Sequence, residues 1–381
     1  MRFYPLAKRQ VRFEISSAEG EKLHYRTGLW EMEWERGRLA RFRPLEEVLV
    51  TADGPLFEDV TARLFGGDAT FRHQLTRGVP YWRSRLDVAS GIDIYGNNGI
   101  SAGDVDNDGW DEIFVAQPGG LPNRLYKRRD DGTFEDITAS SPDLAVLDDT
   151  TGALFLDLRN IGVQDLVVLT VSGPLLFLND GRGRFRYREG AFRARTEPKG
   201  TFTGLAAADY DRDGKLDLYL CTYVYFQSED QYRYPVPYHD AQNGPPNFLF
   251  RNALTADGGG YFEDVTEPAG LGQNNNRYSF APAWCDFDGD GWPDLFVAND
   301  TQPNKLFRNL KNGRFLEEGV AAGVAFGEDG VARGAMGVDA ADYDRSGRAH
   351  LLVGNFSNQM LGLYHNEGNG LFVDEAPRSS V

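Results

Sequence analysis

Apolar and polar residues along this chain fall into one unit that recurs five times. Each unit opens on small residues, passes through an acidic turn, continues in a short apolar run and closes with an aromatic hairpin. The small pieces read NNGISAG before Asp104, TFTGLAAA before Asp209, FAPAWC before Asp286 and GAMGVDAA before Asp342. Gly, Ala and Ser suit an innermost strand, where sheets converge and side chains crowd. After the turns come EIFVA, DLVVL, DLYLC, DLFVA and HLLVG, runs that predict a strand buried on both faces. NRLYKR, PLLFLND, NFLFRN, NKLFRN and LGLYHN alternate apolar and polar residues and predict half-buried third strands. GTFEDIT, GRFRYRE, GYFEDVT, GRFLEEG and GLFVDEA each follow a glycine-containing turn and read as the closing arm of a hairpin. Four antiparallel strands in a repeat of roughly 50 residues predict an all-β fold, a β-propeller of four-stranded blades.

The first aspartates of successive turns lie 53, 52, 77 and 56 residues apart. The long step holds an insertion over residues 223–246. A second insertion, partly helical in pattern, lies near residues 62–95. FEDVT at residues 57–61 predicts the last strand of an earlier unit. Residues 1–50 do not carry the repeat. There VRFEIS, LHYRTGLWEMEWE and RLARFRPLEEV predict three antiparallel strands, either an irregular blade or the tail of a separate sheet domain. The propeller repeats are then assigned to residues 57–381. Five units are few for closure of a ring, so further blades are expected in the natural protein.

The turns read DVDNDGWDE from Asp104, DLRNIGVQD from Asp157, DYDRDGKLD from Asp209, DFDGDGWPD from Asp286 and DYDRSGRAH from Asp342. Calcium takes six to eight oxygens from carboxylates, backbone carbonyls and water. Carboxylates at positions 1, 3 and 5 wrap around one point, and Gly at position 6 permits the sharp reversal. The carbonyl of position 7 and an acid at position 9 close the shell. Turn one thus offers Asp104, Asp106, Asp108 and Glu112 with the Trp110 carbonyl. Turn three offers Asp209, Asp211, Asp213 and Asp217 with the Lys215 carbonyl. Turn four offers Asp286, Asp288, Asp290 and Asp294 with the Trp292 carbonyl. Turn two has Arg159 and Ile161 at positions 3 and 5, so no calcium is expected there. Turn five keeps Asp342 and Asp344 with Ser346 but has His350 at position 9, and is expected to be weak or empty. The expected cofactor is therefore Ca2+, in about three strong sites and one weak one. An EF-hand is rejected, because its position 12 would fall on Val115, Leu220 and Val297 inside β-type runs.

These residues resemble the FG-GAP/VCBS repeats of integrin-α-type propellers. More narrowly, they are similar to the group related to cartilage acidic protein 1 (ASPIC/UnbV type). DFDGDGWPDLFVAND, PNKLFRN and GYFEDVTEPAGL carry the resemblance, which covers residues 57–381. It implies a seven-bladed propeller, incomplete in this chain, with structural calcium in the loops between the first two strands of several blades. It also implies export, a role in adhesion or extracellular binding, and no common catalytic activity. The two degenerate turns and the first 50 residues depart from the pattern.

Composition narrows the function. A net charge of −17 argues against nucleic acid, whose phosphate backbone needs a basic face, and against anionic membrane surfaces. Part of that charge sits in the turns, where divalent cations would neutralise it. No stretch reaches transmembrane length, so no membrane insertion is expected, and the start has no signal-peptide core. Reliance on calcium nonetheless favours an extracellular, cell-surface or periplasmic setting, because extracellular modules bind at about 10⁻⁴–10⁻³ M. Cys221 and Cys285 read as buried strand thiols, with a disulfide or metal role the alternative. The 223–246 insertion carries Tyr225, Tyr232, Tyr234, Tyr238 and His239 as candidate ligand-binding residues for a protein or glycan. The alternative is that its tyrosines pack onto the propeller face. No catalytic residues are assigned. The competing class is a polysaccharide lyase or hydrolase using a Tyr/His pair in that loop.

Overall fold

A computed structural model describes residues 2–5, 9–20, 22–36, 38–54, 57–85, 99–196, 200–224, 235–237 and 240–377. They form two compact units, Met1–Ala62 and Arg63–Pro377.

The first unit is an antiparallel meander of four strands, β1 (Arg2–Pro5), β2 (Gln10–Glu19), β3 (Lys22–Glu35) and β4 (Arg38–Ala52). The strand pattern had predicted three. The extra one, β1, is four residues long, too short for alternation to register. Phe13 on β2 is buried and stacks on Trp30 of β3 at 3.8 Å. Gly28 is required where β3 meets β4, because a Cβ there would lie 2.1 Å from the Glu46 carbonyl oxygen. Residues 57–61 correct an expectation: they form no strand, and Phe57 is 91% exposed. Asp59 instead accepts the Thr61 N–H at 2.9 Å, and a short helix starts at Thr61. The same Asp-x-Thr turn follows the closing strands at Asp136–Thr138 and Asp264–Thr266. The FEDVT signal is thus half strand and half turn. With no third strand ahead of it, only the turn forms.

The second unit contains five four-stranded blades in which neighbours in sequence pair antiparallel. Blade one comprises Ile100–Gly103, Glu112–Val115, Arg124–Arg128 and Phe134–Asp136. Blade two comprises Thr150–Leu156, Asp165–Thr170, Gly173–Asn179 and Phe185–Tyr187. Blade three comprises Phe202–Ala208, Asp217–Thr222, Phe248–Asn252 and Phe262–Asp264, and a two-residue strand, Phe192–Arg193, pairs parallel with its outer edge. Blade four comprises Ser279–Cys285, Asp294–Asn299, Lys305–Asn309 and Phe315–Glu317. Blade five comprises Ala335–Ala341, His350–Asn355, Gly362–Gly368 and Leu371–Asp374.

First strands of successive blades lie side by side, which explains their small residues. A Cβ at Gly204 in blade three would come within 2.6 Å of the Phe280 carbonyl oxygen of blade four. The second strands of blades two, three and four are buried at every residue. They alternate between two cores: Leu295 and Val297 pack towards blade three, Phe296 and Ala298 towards blade five. Each interblade space thus holds one apolar cluster, four in all among the described residues. Cys221 and Cys285 are free thiols on strands of blades three and four. The helical insertion docks on blade one. Phe65 stacks on Phe134 at 4.6 Å, and buried Gln74 donates to Gln117 Oε1 at 3.0 Å and the Pro122 carbonyl at 2.8 Å.

Candidate metal-binding turns

All five acidic turns join the first and second strands of a blade, and all five share one backbone geometry. Gly109, Gly162, Gly214, Gly291 and Gly347 at position 6 have φ between +74° and +89°, a region that side chains with a Cβ disfavour. Position 4 is left-handed as well, in Asn107, Asn160, Arg212, Gly289 and Arg345. The Gly at position 6 announces the reversal in every turn, and Asn107, Asn160 and Gly289 announce it at position 4, where Arg212 and Arg345 do not. The position-1 aspartate holds each turn closed by accepting the position-6 N–H, at 3.0, 2.8, 2.9, 2.7 and 2.9 Å along the chain.

Carboxylate oxygens converge within this frame. Those of Asp104, Asp106 and Asp108 lie within 4.8 Å of one another, as do those of Asp286, Asp288 and Asp290. Turn three gathers Asp209, Asp211 and Asp217, while Asp213 turns outward to Arg251. Position 7 supplies more than its carbonyl: the N–H of Trp110, Lys215 and Trp292 each donates to the position-5 carboxylate at 2.9–3.0 Å.

The acid at position 9 sits deepest. Glu112, Asp217 and Asp294 are buried. Each accepts the position-2 N–H, from Val105, Tyr210 and Phe287. Burial pushes the Asp217 carboxyl up to about 8, helped by Asp211 and Asp213, and Asp294 up to about 7, helped by Asp288 and Asp290. Burial raises Glu112 as well. Protonation is one way to relieve such a site, and a cation is the other. Two oxygens argue for the cation: Asp106 Oδ1 and Asp209 Oδ1 are buried without any hydrogen-bond partner. The donor set is entirely oxygen, which suits a hard cation.

Turns two and five are filled by side chains. In turn two the Arg159 guanidinium bonds Asp165 through both oxygens at 2.8 Å and the Asn179 carbonyl at 2.7 Å, taking the place a cation would have. In turn five His350 Nδ1 accepts the Asn366 N–H at 2.9 Å. Its proton therefore sits on Nε2, which faces Asp344 Oδ1 at 2.9 Å. His365 Nε2 faces the other Asp344 oxygen at 3.0 Å. The Ser346 hydroxyl and these imidazoles hold the Asp344 carboxyl far below its usual range. Asp342 caps its turn through the N–H groups of Ser346 and Gly347, as Asp104 and Asp286 cap theirs.

The sequence pattern missed one set of residues, the asparagines at or near the ends of the third strands. Asn252, Asn309 and Asn366 each donate to a carbonyl in their own turn and to the position-2 carbonyl of the preceding blade's turn, and so does Asn179. The second bonds reach Val105, Leu158, Tyr210 and Phe287 at 2.7–2.9 Å. The N–H groups of Asn179, Asn252 and Asn309 donate to the position-9 carboxylates. Each asparagine therefore latches its blade to the one before. Blade one has Arg128 at this position. Recurrence of N at the end of LFRN-type strands was the available signal. The candidate residues Tyr225, Tyr232, Tyr234, Tyr238 and His239 lie outside the described residues.

Comparison with known proteins places these turns in a family context. The FG-GAP-like repeat model matches residues 104–168, 157–220 and 286–353, each match beginning on a position-1 aspartate. Human cartilage acidic protein 1 is 30% identical over 327 residues, 81% of this chain and 44% of the relative. Its Xenopus tropicalis counterpart is 29% identical over 253 residues, 62% of this chain and 35% of the relative. The chain thus spans less than half the length of these relatives. Among solved structures, an Agrocybe aegerita lectin that recognises non-reducing terminal N-acetylglucosamine aligns at a TM-score of 0.43 and 14% identity, over 96% of this chain and 79% of the lectin. That overlay is too loose to support anything further. The chain thus carries FG-GAP-like repeats in three places and is similar over 81% of its length to human cartilage acidic protein 1.

Proposed function

We propose that this chain is a calcium-stabilised propeller module that binds a protein or glycan ligand outside the cell. The observation that carries the calcium reading is the pair of buried, partnerless oxygens on Asp106 and Asp209, each inside a cluster of further carboxylates. In turn one, Asp104, Asp106, Asp108 and Glu112 would hold the ion with the Trp110 carbonyl. In turn four, Asp286, Asp288, Asp290 and Asp294 would do so with the Trp292 carbonyl. In turn three, Asp209, Asp211 and Asp217 are gathered already, and Arg251 would have to release both Asp211 and Asp213. A bound calcium supplies the positive charge that lets clustered carboxylates stay ionised. The turns then close the inner hairpin of each blade, and the asparagine latches pass that rigidity to the next blade. Calcium is expected to raise the melting temperature, and Asp288→Ala to remove part of the gain. An unchanged melting curve in EDTA would dispose of a structural role.

The relatives and the repeat type support an extracellular binding module, as does a requirement for calcium at concentrations found outside cells. Among the described residues no helix is long and apolar enough to cross a membrane. The acidic surface is unsuited to nucleic acid. We read the module as non-catalytic, with residues 223–246 as the ligand-binding loop. A glycan array set beside turnover assays on acidic polysaccharides tests this. Binding lost in Tyr232→Ala with no turnover supports the module, and turnover abolished in His239→Ala supports a lyase or hydrolase instead.

A further inference from the structure

The third strands of blades one, three, four and five carry a basic or imidazole side chain beside the acidic turn, two residues after the buried Leu125, Leu249, Leu306 or Leu363, whereas blade two has Leu178 there. The side chain is Lys127 in blade one, Arg251 in blade three, Arg308 in blade four and His365 in blade five. The Lys127 ammonium lies 2.5 Å from Asp106, 2.6 Å from Asp108 and 3.3 Å from Glu112. It bridges three of the four carboxylates expected to hold an ion. Arg251 bridges Asp211 at 2.7 Å and Asp213 at 2.9 Å. Arg308 is different. Glu318, just beyond the fourth strand, draws its guanidinium away through bonds of 2.8 and 3.1 Å. Turn four keeps one cationic contact, Lys311 to Asp290 at 2.9 Å. It opens onto a cavity of about 300 Å³ lined by Asp288, Asp290, Asp294 and Arg308.

We propose that these tethered cations set the order in which the turns take up a divalent ion, turn four first and turn one last, with Lys127 the gate on turn one. The inference rests on the calcium reading above. An ammonium and a metal ion compete for the same oxygens, so the apparent affinity of turn one falls by the fraction of time Lys127 is away. Charge-assisted hydrogen bonds contribute about 1.5–3 kcal/mol, which is roughly a tenfold to hundredfold effect on the dissociation constant. Lys127 is partly exposed, so its stem can swing the ammonium into solvent when an ion enters. Glu318 acts as a positioning residue for turn four by keeping Arg308 off Asp288.

The full chain reports on this directly, because position 7 is Trp110 in turn one and Trp292 in turn four. Terbium(III) serves as the calcium stand-in, with luminescence excited through tryptophan and W110F/W292F as the blank. In W110F the signal comes from turn four and is expected at low terbium. In W292F it comes from turn one and is expected at concentrations about tenfold or more higher. K127M on the W292F background is expected to bring turn one down to the range of turn four. E318Q on the W110F background, which leaves turn one untouched, is expected to weaken turn four by freeing Arg308. Equal concentrations for the two tryptophans, with neither K127M nor E318Q shifting its turn, would overturn the gate and leave the calcium reading standing. No sensitised signal in any variant at millimolar terbium would overturn the calcium reading itself.

Discussion

Asn309 shows how much a single side chain can hold here. It is buried, and its amide donates to the Tyr210 carbonyl at 2.9 Å and the Pro293 carbonyl at 3.0 Å. Asn309→Ala strands both carbonyls, and a net cost of about 2 kcal/mol is expected for two lost bonds. Urea unfolding measures it, and an unchanged midpoint would show that the latch carries no load. Lys305 makes a second residue-scale case. Burial holds its ammonium down to about 8, against 10.5 in the open, although the Asn274 carbonyl accepts from it at 2.8 Å. From pH 8 to 10.5 the unfolded chain keeps a proton that the folded chain has released, so this group makes stability rise with pH across that window. The native protein should therefore gain on Lys305→Met between pH 8 and pH 10. Parallel unfolding free energies at the two pH values would refute this.

At the scale of the element, the five turns are one backbone solution with different fillings. The shared frame is the position-1 cap and the left-handed pair at positions 4 and 6. The filling is what differs: carboxylates bridged from the third strand by Lys127 in turn one and Arg251 in turn three, carboxylates touched by Lys311 in turn four, the turn's own Arg159 in turn two, imidazoles in turn five. Turn two shows that the frame needs positive charge at its centre rather than calcium as such. Arg159 is nearly buried against a fully buried Asp165. Removing one partner of a buried ion pair leaves the other uncompensated, at a cost of about 3–5 kcal/mol. Arg159→Ala should lower the melting temperature by the same amount with and without calcium. A loss that calcium restores would mean that turn two binds the ion once the arginine is gone. The damaged motif was legible in the sequence, because positions 3 and 5 are read directly. What fills the gap was only half legible: Arg159 stands in turn two itself, but nothing local shows that it folds back onto Asp165, and His365 reaches turn five from the third strand.

At the scale of the molecule, the blades depend on one another through the middle residue of the second strand. Phe114, Val167, Tyr219 and Phe296 occupy that position in blades one to four and are 0–1% exposed, whereas Leu352 in blade five is 42% exposed. The reason is geometric: this residue faces the following blade, and none follows blade five among the described residues. Phe296→Ala should cost about 3–5 kcal/mol through the cavity it leaves. Leu352→Ala should stay within about 0.5 kcal/mol, as exposed substitutions do. Thermal unfolding of the two variants side by side decides this, and comparable losses would mean that Leu352 is covered in solution.

Local pattern was enough to place the blade strands other than Thr150–Leu156, which opens blade two, and the two-residue Phe192–Arg193. Its periods of small, apolar and alternating residues are set by which faces each strand buries, and burial writes itself into consecutive residues. The acidic turns were visible for the same reason, since their acidic residues fall within nine consecutive positions. Only the folded chain revealed which groups meet those turns from elsewhere. Lys127 and Arg251 come from the third strand of their own blade, Glu318 from beyond the fourth, and Asn179, Asn252, Asn309 and Asn366 from the next blade along. Such contacts join residues far apart in sequence, and no local period records a distance that folding alone makes short.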